Sequence, residues 1–422
     1  MKSRKLLIRG GVGILAAAAA FFLFRELKGE AIDWYAHRRY VRTAAYVSSA
    51  APDQICLTWA ADPATTQTIQ WRTSSSVESS VVEYRGEDEP ETETKRQDAA
   101  RMLVEDLLLE NDPINARFSA TLEGLQPATA YTYRVGDPSG ENWSDWAAFT
   151  TAPDDAVPFS FMYLGDAQRG LGAWGLLMNK AFERHPEAAF YVVAGDLIND
   201  GGWRNEWDHF FGAAEEIFRR RPLVPALGNH DYDYDEVPRL YLDLLTLPEN
   251  GPDGFPAERA YSFTYSNALF VVLDSNLSAA DQAAWLEQVL STSNATWKIA
   301  VYHHPAYPSA PHRENEDVRE VWGALFDKYH VDVALQGHDH AYLRTYPMHG
   351  GERVASAADG TIYIVSVSGT KFYDQVDRDY SEVAFPNVMT YQVIDISMNP
   401  DRFTYRAFDG EGTIRDEFVI EK

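Results

Sequence analysis

The stretch that decides the fold reads Phe190-Tyr191-Val192-Val193-Ala194-Gly195-Asp196-Leu197-Ile198-Asn199. Its first five residues form an unbroken apolar run, which predicts a buried strand. A glycine and then an aspartate follow directly where this strand ends. In layered α/β sheets, ligand sites collect outside the carboxyl ends of the strands. Asp196 is therefore a candidate site residue.

The same arrangement recurs along the chain. Further apolar runs end in Gly165-Asp166-Ala167-Gln168, Gly228-Asn229-His230-Asp231, His303-His304-Pro305 and Gly337-His338-Asp339-His340. A single Gly-Asp pair after a strand is usually a turn or a helix cap. A whole succession of such loops carrying aspartate, asparagine and histidine is not explained by turn chemistry. Oxygen and imidazole ligands without thiolate suit iron, manganese, zinc or cobalt.

Strands and helices alternate around these motifs over residues 157–422, which predicts a layered α/β domain. The patterns predict strands at residues 159–164, 190–194, 223–227, 261–265, 269–273, 297–302 and 331–336. They predict helices at residues 174–184, 203–219, 279–290 and 318–329. The polar motifs lie in the loops that follow the strands.

Residues 43–152 show short alternating strands separated by polar turns, which is typical of a β-sandwich. Strands are predicted at residues 54–59, 68–72, 80–84, 116–122 and 130–135. The segment 122–133 resembles the closing part of a fibronectin type III domain, in which a leucine and a tyrosine pack across the sandwich corner. The two prolines and two aspartates of residues 150–158 predict a linker.

The N-terminus carries a targeting pattern. Lys2, Arg4, Lys5 and Arg9 precede an apolar run over residues 10–24. Residues 1–30 are therefore interpreted as a signal peptide or a signal anchor. The bulky end of the apolar run lacks a small-residue cleavage site, which favours an uncleaved anchor. We expect an exported protein, periplasmic or extracellular, that meets the membrane through this segment only, or is secreted if the segment is cleaved.

The composition limits the partners. The formal charge of −26, with 63 acidic against 37 basic residues, argues against nucleic acid as a partner. It does not exclude a small phosphate ester, whose charge metal ions would meet locally. The single cysteine, Cys56, excludes an intramolecular disulfide and is expected to be a buried structural thiol.

The ordered motifs GD, GDLIN, GNHD, HHP and GHDH are similar to those of the calcineurin-type metallophosphoesterase superfamily. The preceding sandwich makes residues 43–420 most similar to the purple acid phosphatases. The resemblance implies a layered αββα catalytic domain with two metal ions. It implies Asp166 and His340 as ligands of the first metal, Asp196 as the bridging ligand, and Asn229, His303 and His338 as ligands of the second. It places His230 opposite the substrate phosphate.

Two positions depart from the family pattern at the first metal. Purple acid phosphatases carry a tyrosine where this chain has Asn199, and many other members carry a histidine where it has Gln168. A purple ferric site is therefore not expected, and two divalent ions (iron, manganese, zinc or cobalt) are. Gln168 is a candidate that either binds through its carbonyl or positions a water.

A second pair of candidates follows His303. Purple acid phosphatases have two substrate-facing histidines where this chain has His312 and Arg313. His312 is accordingly a second candidate catalytic residue. Arg313 either contacts a phosphate oxygen or is a solvated arginine in a charged loop.

The resemblance implies a hydrolase of phosphate monoesters that uses a metal-activated hydroxide as nucleophile. A phosphodiesterase with the same site is the nearest alternative, because the loops that limit access carry no diagnostic pattern. A surface-tethered binding protein without activity is a further alternative, against which the intact ligand set speaks. The acidic charge disfavours a nuclease.

Overall fold

The computed structural model describes residues 41–233 and 236–422. The predicted signal or anchor at residues 1–30 lies outside the described residues. Within the described ranges, no helix has both the length and the apolar character that crossing a bilayer requires.

The N-terminal part is a sandwich of two four-stranded antiparallel sheets, ordered β1-β2-β6-β5 and β4-β3-β7-β8. In chain order the strands are β1 Asp53–Thr58, β2 Gln67–Ser74, β3 Val81–Gly86, β4 Lys95–Asp98, β5 Ala100–Glu105, β6 Ile114–Leu122, β7 Ala130–Gly136 and β8 Ala147–Thr150. The facing sheets bury an aromatic core that includes Trp71 stacked on Phe118, with ring centroids 5.7 Å apart. Cys56 is free and buried, as expected.

All five strands predicted for the sandwich are present, but β4, β5 and β8 were not predicted. All four residues of β4 are exposed, so this edge strand has no apolar face for a sequence pattern to reveal. The strand β8 has only four residues. Pairing with neighbouring strands, rather than local pattern, determines these three strands.

The second part contains two larger mixed sheets, of six and seven strands. Its strands are β9 Phe159–Leu164, β10 Ala188–Ala194, β11 Leu223–Ala226, β12 Tyr261–Tyr265, β13 Ala268–Val272, β14 Trp297–Val301, β15 Val333–Gln336, β16 Tyr342–Thr345, β17 Met348–His349, β18 Glu352–Arg353, β19 Ile362–Val365, β20 Ser381–Phe385, β21 Thr390–Ser397, β22 Arg402–Asp409 and β23 Ile414–Glu421. Its helices are α1 Leu171–Arg184, α2 Arg204–Ala213, α3 Glu215–Phe218, α4 Arg239–Leu244, α5 Ala279–Thr292 and α6 Gly323–Tyr329. The predicted helix at 203–219 is divided at Ala214, and the predicted helix at 318–329 begins with a π-helical turn.

The two sheets are ordered β11-β10-β9-β21-β22-β23 and β12-β13-β14-β15-β19-β16-β20. Aromatic rings join their inner faces: Phe161 stacks on Phe190, and Phe270 meets both edge-on. On the outer face of the seven-stranded sheet, Leu269 and Val271 belong to a separate core with residues of α5 and α6. This layered α/β arrangement behind an all-β domain confirms the predicted fold class.

The strand directions bring the motifs to one edge. Strands β9, β10 and β11 are mutually parallel, as are β13, β14 and β15 in the other sheet. The five motifs occupy the loops that follow β9, β10, β11, β14 and β15. Parallel strands end on the same side of a sheet, so the polar side chains converge there.

The sandwich packs against the second part through buried polar contacts. The guanidinium of Arg72 lies 2.6 Å from Asp53 within the sandwich and 2.9 Å from Asp208 of α2. The hydroxyl of Tyr133 donates to the carbonyl of Arg219 at 2.7 Å. Separating the two parts would leave the buried carboxylate of Asp208 without Arg72, which is unfavourable.

Candidate metal centre

Five predicted ligands lie in two overlapping groups. Asp166, Asp196 and His340 form one group, and Asp196, His303 and His338 form the other. In each group the ligand atoms lie within 4.8 Å of one another. Asp196 belongs to both, so its carboxylate stands between two positions that could each hold a cation.

Close packing of the loops explains the glycines of the motifs. A Cβ on Gly195 would lie 2.6 Å from Nδ1 of His303, and one on Gly337 would lie 2.6 Å from Oδ2 of Asp166. Neither contact is compatible with a side chain. The ligands themselves are strained, because Asp166, Asp196, His338 and His340 have φ angles of 38°, 51°, 74° and 45°. Backbone strain of this kind concentrates at functional sites.

The second group is oriented by a carbonyl. His303 donates from Nδ1 to the carbonyl oxygen of Ala194 at 2.9 Å, which turns Nε2 toward the cluster. That Nε2 lies 3.3 Å from Oδ1 of Asp196 and 3.1 Å from Nδ1 of His338. Three potential metal-ligand atoms thus lie close together. The hydrogen bond to Ala194 fixes the tautomer of His303.

The first group contains an unpaired buried oxygen. Oδ1 of Asp166 has no hydrogen-bond partner and lies 3.7 Å from Nε2 of His340. His340 donates from Nδ1 to the carbonyl oxygen of Lys371 at 3.2 Å, which directs Nε2 inward. Gln168 is fully buried between these ligands: its amide nitrogen lies 3.3 Å from Nε2 of His340 and is hydrogen-bonded to Oδ2 of Asp196.

The protonation of two of the histidines matches a cation-binding role. Burial raises the pKa of Asp166 well above its ordinary value, against the opposing charge of His303. Burial opposes the charged form of His303, but Asp196 raises the pKa of His303 to about 9. Burial and the charge of Lys371 lower the pKa of His340 to about 3. Burial and the charge of His303 likewise lower the pKa of His338. The last two imidazoles are therefore neutral at pH 7, the form that binds metals.

The donors fit a pair of divalent ions. Carboxylate and imidazole atoms without thiolate suit borderline metals. The buried oxygen Oδ1 of Asp166, which has no hydrogen-bond partner, is unfavourable without a cation beside it.

The Asn229–Asp231 turn lies against this centre. The backbone N–H of His230 donates to Oδ1 of Asp196 at 2.9 Å. The ring of His230 donates from Nδ1 to the carbonyl oxygen of Asn199 at 2.6 Å, which leaves Nε2 free. The side chain of Asn229 is exposed at the start of the turn.

The structure separates the two later candidates. Arg313 donates to the carbonyl oxygen of His338 at 2.8 Å and to Oδ1 of Asp339 at 3.0 Å. It is thus held by the loop that carries two ligands and stays partly exposed, and its two predicted roles remain predictions. His312 is exposed with a φ of 59°, and no contact joins it to the five clustered side chains in the described ranges.

Sequence reasoning missed the carboxylates that brace the loops. Asp231 is buried and accepts from the backbone N–H groups of Leu197 and Gly228, at 2.9 and 2.8 Å, which ties two motif loops together. Asp339 accepts from the N–H of Ala310 at 2.9 Å and pairs with Arg313. The only sequence feature that could have identified them is their position inside the motifs, directly beside candidate ligands.

Comparisons with known proteins match both parts of the chain. The model of the purple acid phosphatase N-terminal domain matches residues 52–151, and that of the calcineurin-like phosphoesterases matches residues 159–342. Fe(3+)-Zn(2+) purple acid phosphatase 12 of Arabidopsis thaliana is 27% identical over 333 residues, which are 73% of this chain and 66% of the relative. Purple acid phosphatase 15 of the same plant is 25% identical over 59% of this chain and 52% of its own length.

These alignments therefore span about half to two thirds of the relatives' lengths. Among solved structures, purple acid phosphatase PPD1 from yellow lupin (Lupinus luteus) seeds has a TM-score of 0.75 at 19% identity. That match covers 89% of this chain and 75% of the lupin chain. At this identity the likeness supports the fold.

Proposed function

From a chain that belongs to the calcineurin-like phosphoesterases and carries the N-terminal domain of the purple acid phosphatases, we infer a two-metal hydrolase of phosphate monoesters. The observation that carries this proposal is the double membership of Asp196. One buried carboxylate serves two ligand groups, each completed by histidine. A shared carboxylate is what a dinuclear centre needs in order to hold two ions a short distance apart.

Each ion has its own set of residues. Asp166, Asp196 and His340 would hold the first, and Asp196, Asn229, His303 and His338 the second. Gln168 is assigned to the first set. Its amide nitrogen now points at Asp196 and His340, and a half-turn of the amide would place there its Oε1, which has no hydrogen-bond partner. Two such ions supply charge neutralisation for the phosphoryl oxygens and lower the pKa of a coordinated water.

Both ions are proposed to be divalent. The Arabidopsis relative is named as an Fe(3+)-Zn(2+) enzyme. Here the first group contains no phenolate, since Asn199 stands where a tyrosine would bind ferric iron. A neutral amide and one imidazole favour a softer, lower charge state.

His230 is the proposed acid. Its Nδ1–H is held by the carbonyl oxygen of Asn199, so Nε2 is the atom that carries the second proton of the imidazolium. Donation of that proton to the leaving alkoxide gives an alcohol and returns the ring to its neutral form. We assign no step to His312, because it is exposed and contacts none of the clustered side chains within the described residues.

We further propose a location outside the cytoplasm, based on the predicted N-terminal anchor. Basic residues before the apolar run at 10–24 would remain in the cytoplasm and leave the catalytic part outside. Cell fractionation with protease protection tests this. Recovery of the full-length protein in the cytoplasmic fraction would exclude it.

The test of function combines metal analysis with a phosphate-ester panel over a range of pH. We expect two ions per chain and hydrolysis of p-nitrophenyl phosphate in preference to its bis-ester. The variant Asp196→Ala should lose both ions and activity. Activity in metal-free Asp196→Ala protein would exclude the mechanism, and preference for the bis-ester would identify a diesterase.

A further inference from the structure

Residues 368–373 form an irregular segment that lies along the first group of ligands. The backbone N–H of Ser368 donates to the carbonyl oxygen of Gly165, and that of Gly369 to the carbonyl oxygen of Asp166, both at 2.8 Å. Farther along, the N–H of Tyr373 donates to the carbonyl oxygen of His340 at 3.2 Å. The segment is therefore fastened at both ends to loops that carry ligands, and its side chains have defined positions.

Lys371 lies in the middle of this segment and next to His340. Its carbonyl oxygen accepts the Nδ1–H of His340 at 3.2 Å. Its ammonium lies 5.0 Å from the ring centroid of Tyr373, and that ring lies 4.7 Å from the ring of His340. The lysine side chain is thus held on an aromatic ring that itself packs against His340.

Two cationic side chains lie near the ring of Tyr373, and they differ in whether an acidic residue pairs with them. The guanidinium of Arg313 lies over the same ring at 5.0 Å, but it is paired with Asp339 at 3.0 Å. Lys371 is half-buried and has no carboxylate partner among the described residues. In a chain with 63 acidic and 37 basic residues, a half-buried lysine without an acid is conspicuous.

An unpaired ammonium beside a cation site is electrostatically unfavourable. Like charges repel, and partial burial strengthens the repulsion. An anion lying between the ammonium and the metal position would remove this penalty. A negatively charged ligand in the site would therefore be favoured by this arrangement.

We propose that Lys371 binds the phosphoryl group of the substrate and recognises the second negative charge of a phosphate monoester. A monoester dianion offers a charged oxygen that a diester has covered with its second ester group. The compact ammonium suits this task as a point charge held by its stem on Tyr373. This inference rests on the proposed function and makes its preference for monoesters specific to one side chain.

The test compares Lys371→Met, Lys371→Arg and the control Lys328→Met in manganese-loaded protein. Lys328 is exposed on α6 and pairs with Glu287, so its replacement makes the same change in net charge away from the cluster. Inorganic phosphate is titrated by calorimetry, metal content is measured, and KM is determined for p-nitrophenyl phosphate and its bis-ester. Methionine retains the stem on Tyr373 and the backbone carbonyl.

We expect Lys371→Met to weaken phosphate binding and raise the monoester KM about tenfold each, with less than about a twofold change for the diester. Metal content should be unchanged, Lys371→Arg should recover most of the loss, and Lys328→Met should match the wild type. Unchanged phosphate affinity, equal increases in both KM values, or loss of metal would each overturn the proposal.

Failure of the proposed function would look different. If the wild-type protein binds two ions and phosphate but hydrolyses neither ester, the enzymatic assignment fails. The calorimetric comparison of the variants then still decides the role of Lys371. If the loaded wild-type protein does not bind phosphate, the assignment of Lys371 is wrong.

Discussion

Asp196 offers the sharpest test of the two-metal arrangement, because it is the one carboxylate that belongs to both ligand groups. The change Asp196→Asn keeps its shape but removes its charge and one of its anionic oxygens. Asp166→Asn is the matched change, since Asp166 belongs only to the group with His340. The first variant should disrupt both ion sites and the second only one.

The size of the effect follows from ligand linkage. An ion at one hundred times its dissociation constant stabilises the folded state by about 2.7 kcal/mol per site. Two sites therefore contribute about 5.4 kcal/mol, and one site half of that. For a domain of this size, each kcal/mol raises the melting temperature by roughly 2–4 °C. The shift on adding metal should be roughly 10–20 °C for the wild type, half of that for Asp166→Asn, and close to zero for Asp196→Asn.

The assay is thermal unfolding of each variant in EDTA and in excess Mn²⁺. Subtracting the two melting temperatures for the same variant cancels any effect of the substitution on the metal-free fold. This matters because Asp196 also accepts the N–H of His230, whose loss alters stability by itself. If Asp196→Asn keeps half or more of the wild-type shift, the carboxylate does not serve two ions and the dinuclear reading is refuted.

Three further outcomes are expected. His230→Ala should lower kcat by about 100-fold with both ions retained, and a parallel loss of metal would show that it acts through the ligands. Arg72→Met leaves buried Asp208 without its closest cation and should lower the free energy of unfolding in urea by about 3–5 kcal/mol. The control Arg402→Met, at an exposed pair, should lower it little, and a loss under about 1 kcal/mol for Arg72→Met would contradict the expectation. Burial raises the pKa of Glu258 from 4.5 to about 7, so its stabilising protonation is complete below pH 4.5 and is lost as pH rises through 7. Glu258→Gln should remove about 1 kcal/mol of that decline between pH 4.5 and 8, after allowance for partial exposure, and parallel stability curves for variant and wild type would refute the assignment.

The sequence predicted the site residues wherever one short pattern combined a buried strand with a side chain that can bind a metal. The run 190–194 is apolar because β10 is covered on both faces, and the following Gly195 is small because His303 approaches it closely. Such loops can be found without coordinates, since each combines a buried strand with a side chain that binds metals. The same reasoning located Asp166, Asp196, His303, His338 and His340 before the structure grouped them.

The remaining features depend on contacts between distant segments. Strand β21 pairs with β9, more than two hundred residues earlier, and β22 and β23 follow it to complete the six-stranded sheet. No local sequence pattern identifies β9 as that partner. Lys371 stands in a segment without regular structure and becomes notable only because its carbonyl meets His340. Arg313 was predicted to contact phosphate or solvent, and no sequence pattern indicated its pairing with the buried Asp339. That pair forms because an unpaired buried carboxylate is costly.

The sandwich belongs to the framework that orients the proposed acid. Its Asp106 accepts the N–H of Arg204 at 3.1 Å and so places a carboxylate at the start of α2. Within that first turn, Glu206 accepts the N–H of Asn199 at 2.8 Å, and the carbonyl of Asn199 holds Nδ1 of His230. The orientation of His230 is thus tied by successive hydrogen bonds to a residue of the other domain. A catalytic domain without the sandwich would lose the cap that fixes this loop, which is a physical reason for the two parts to occur together.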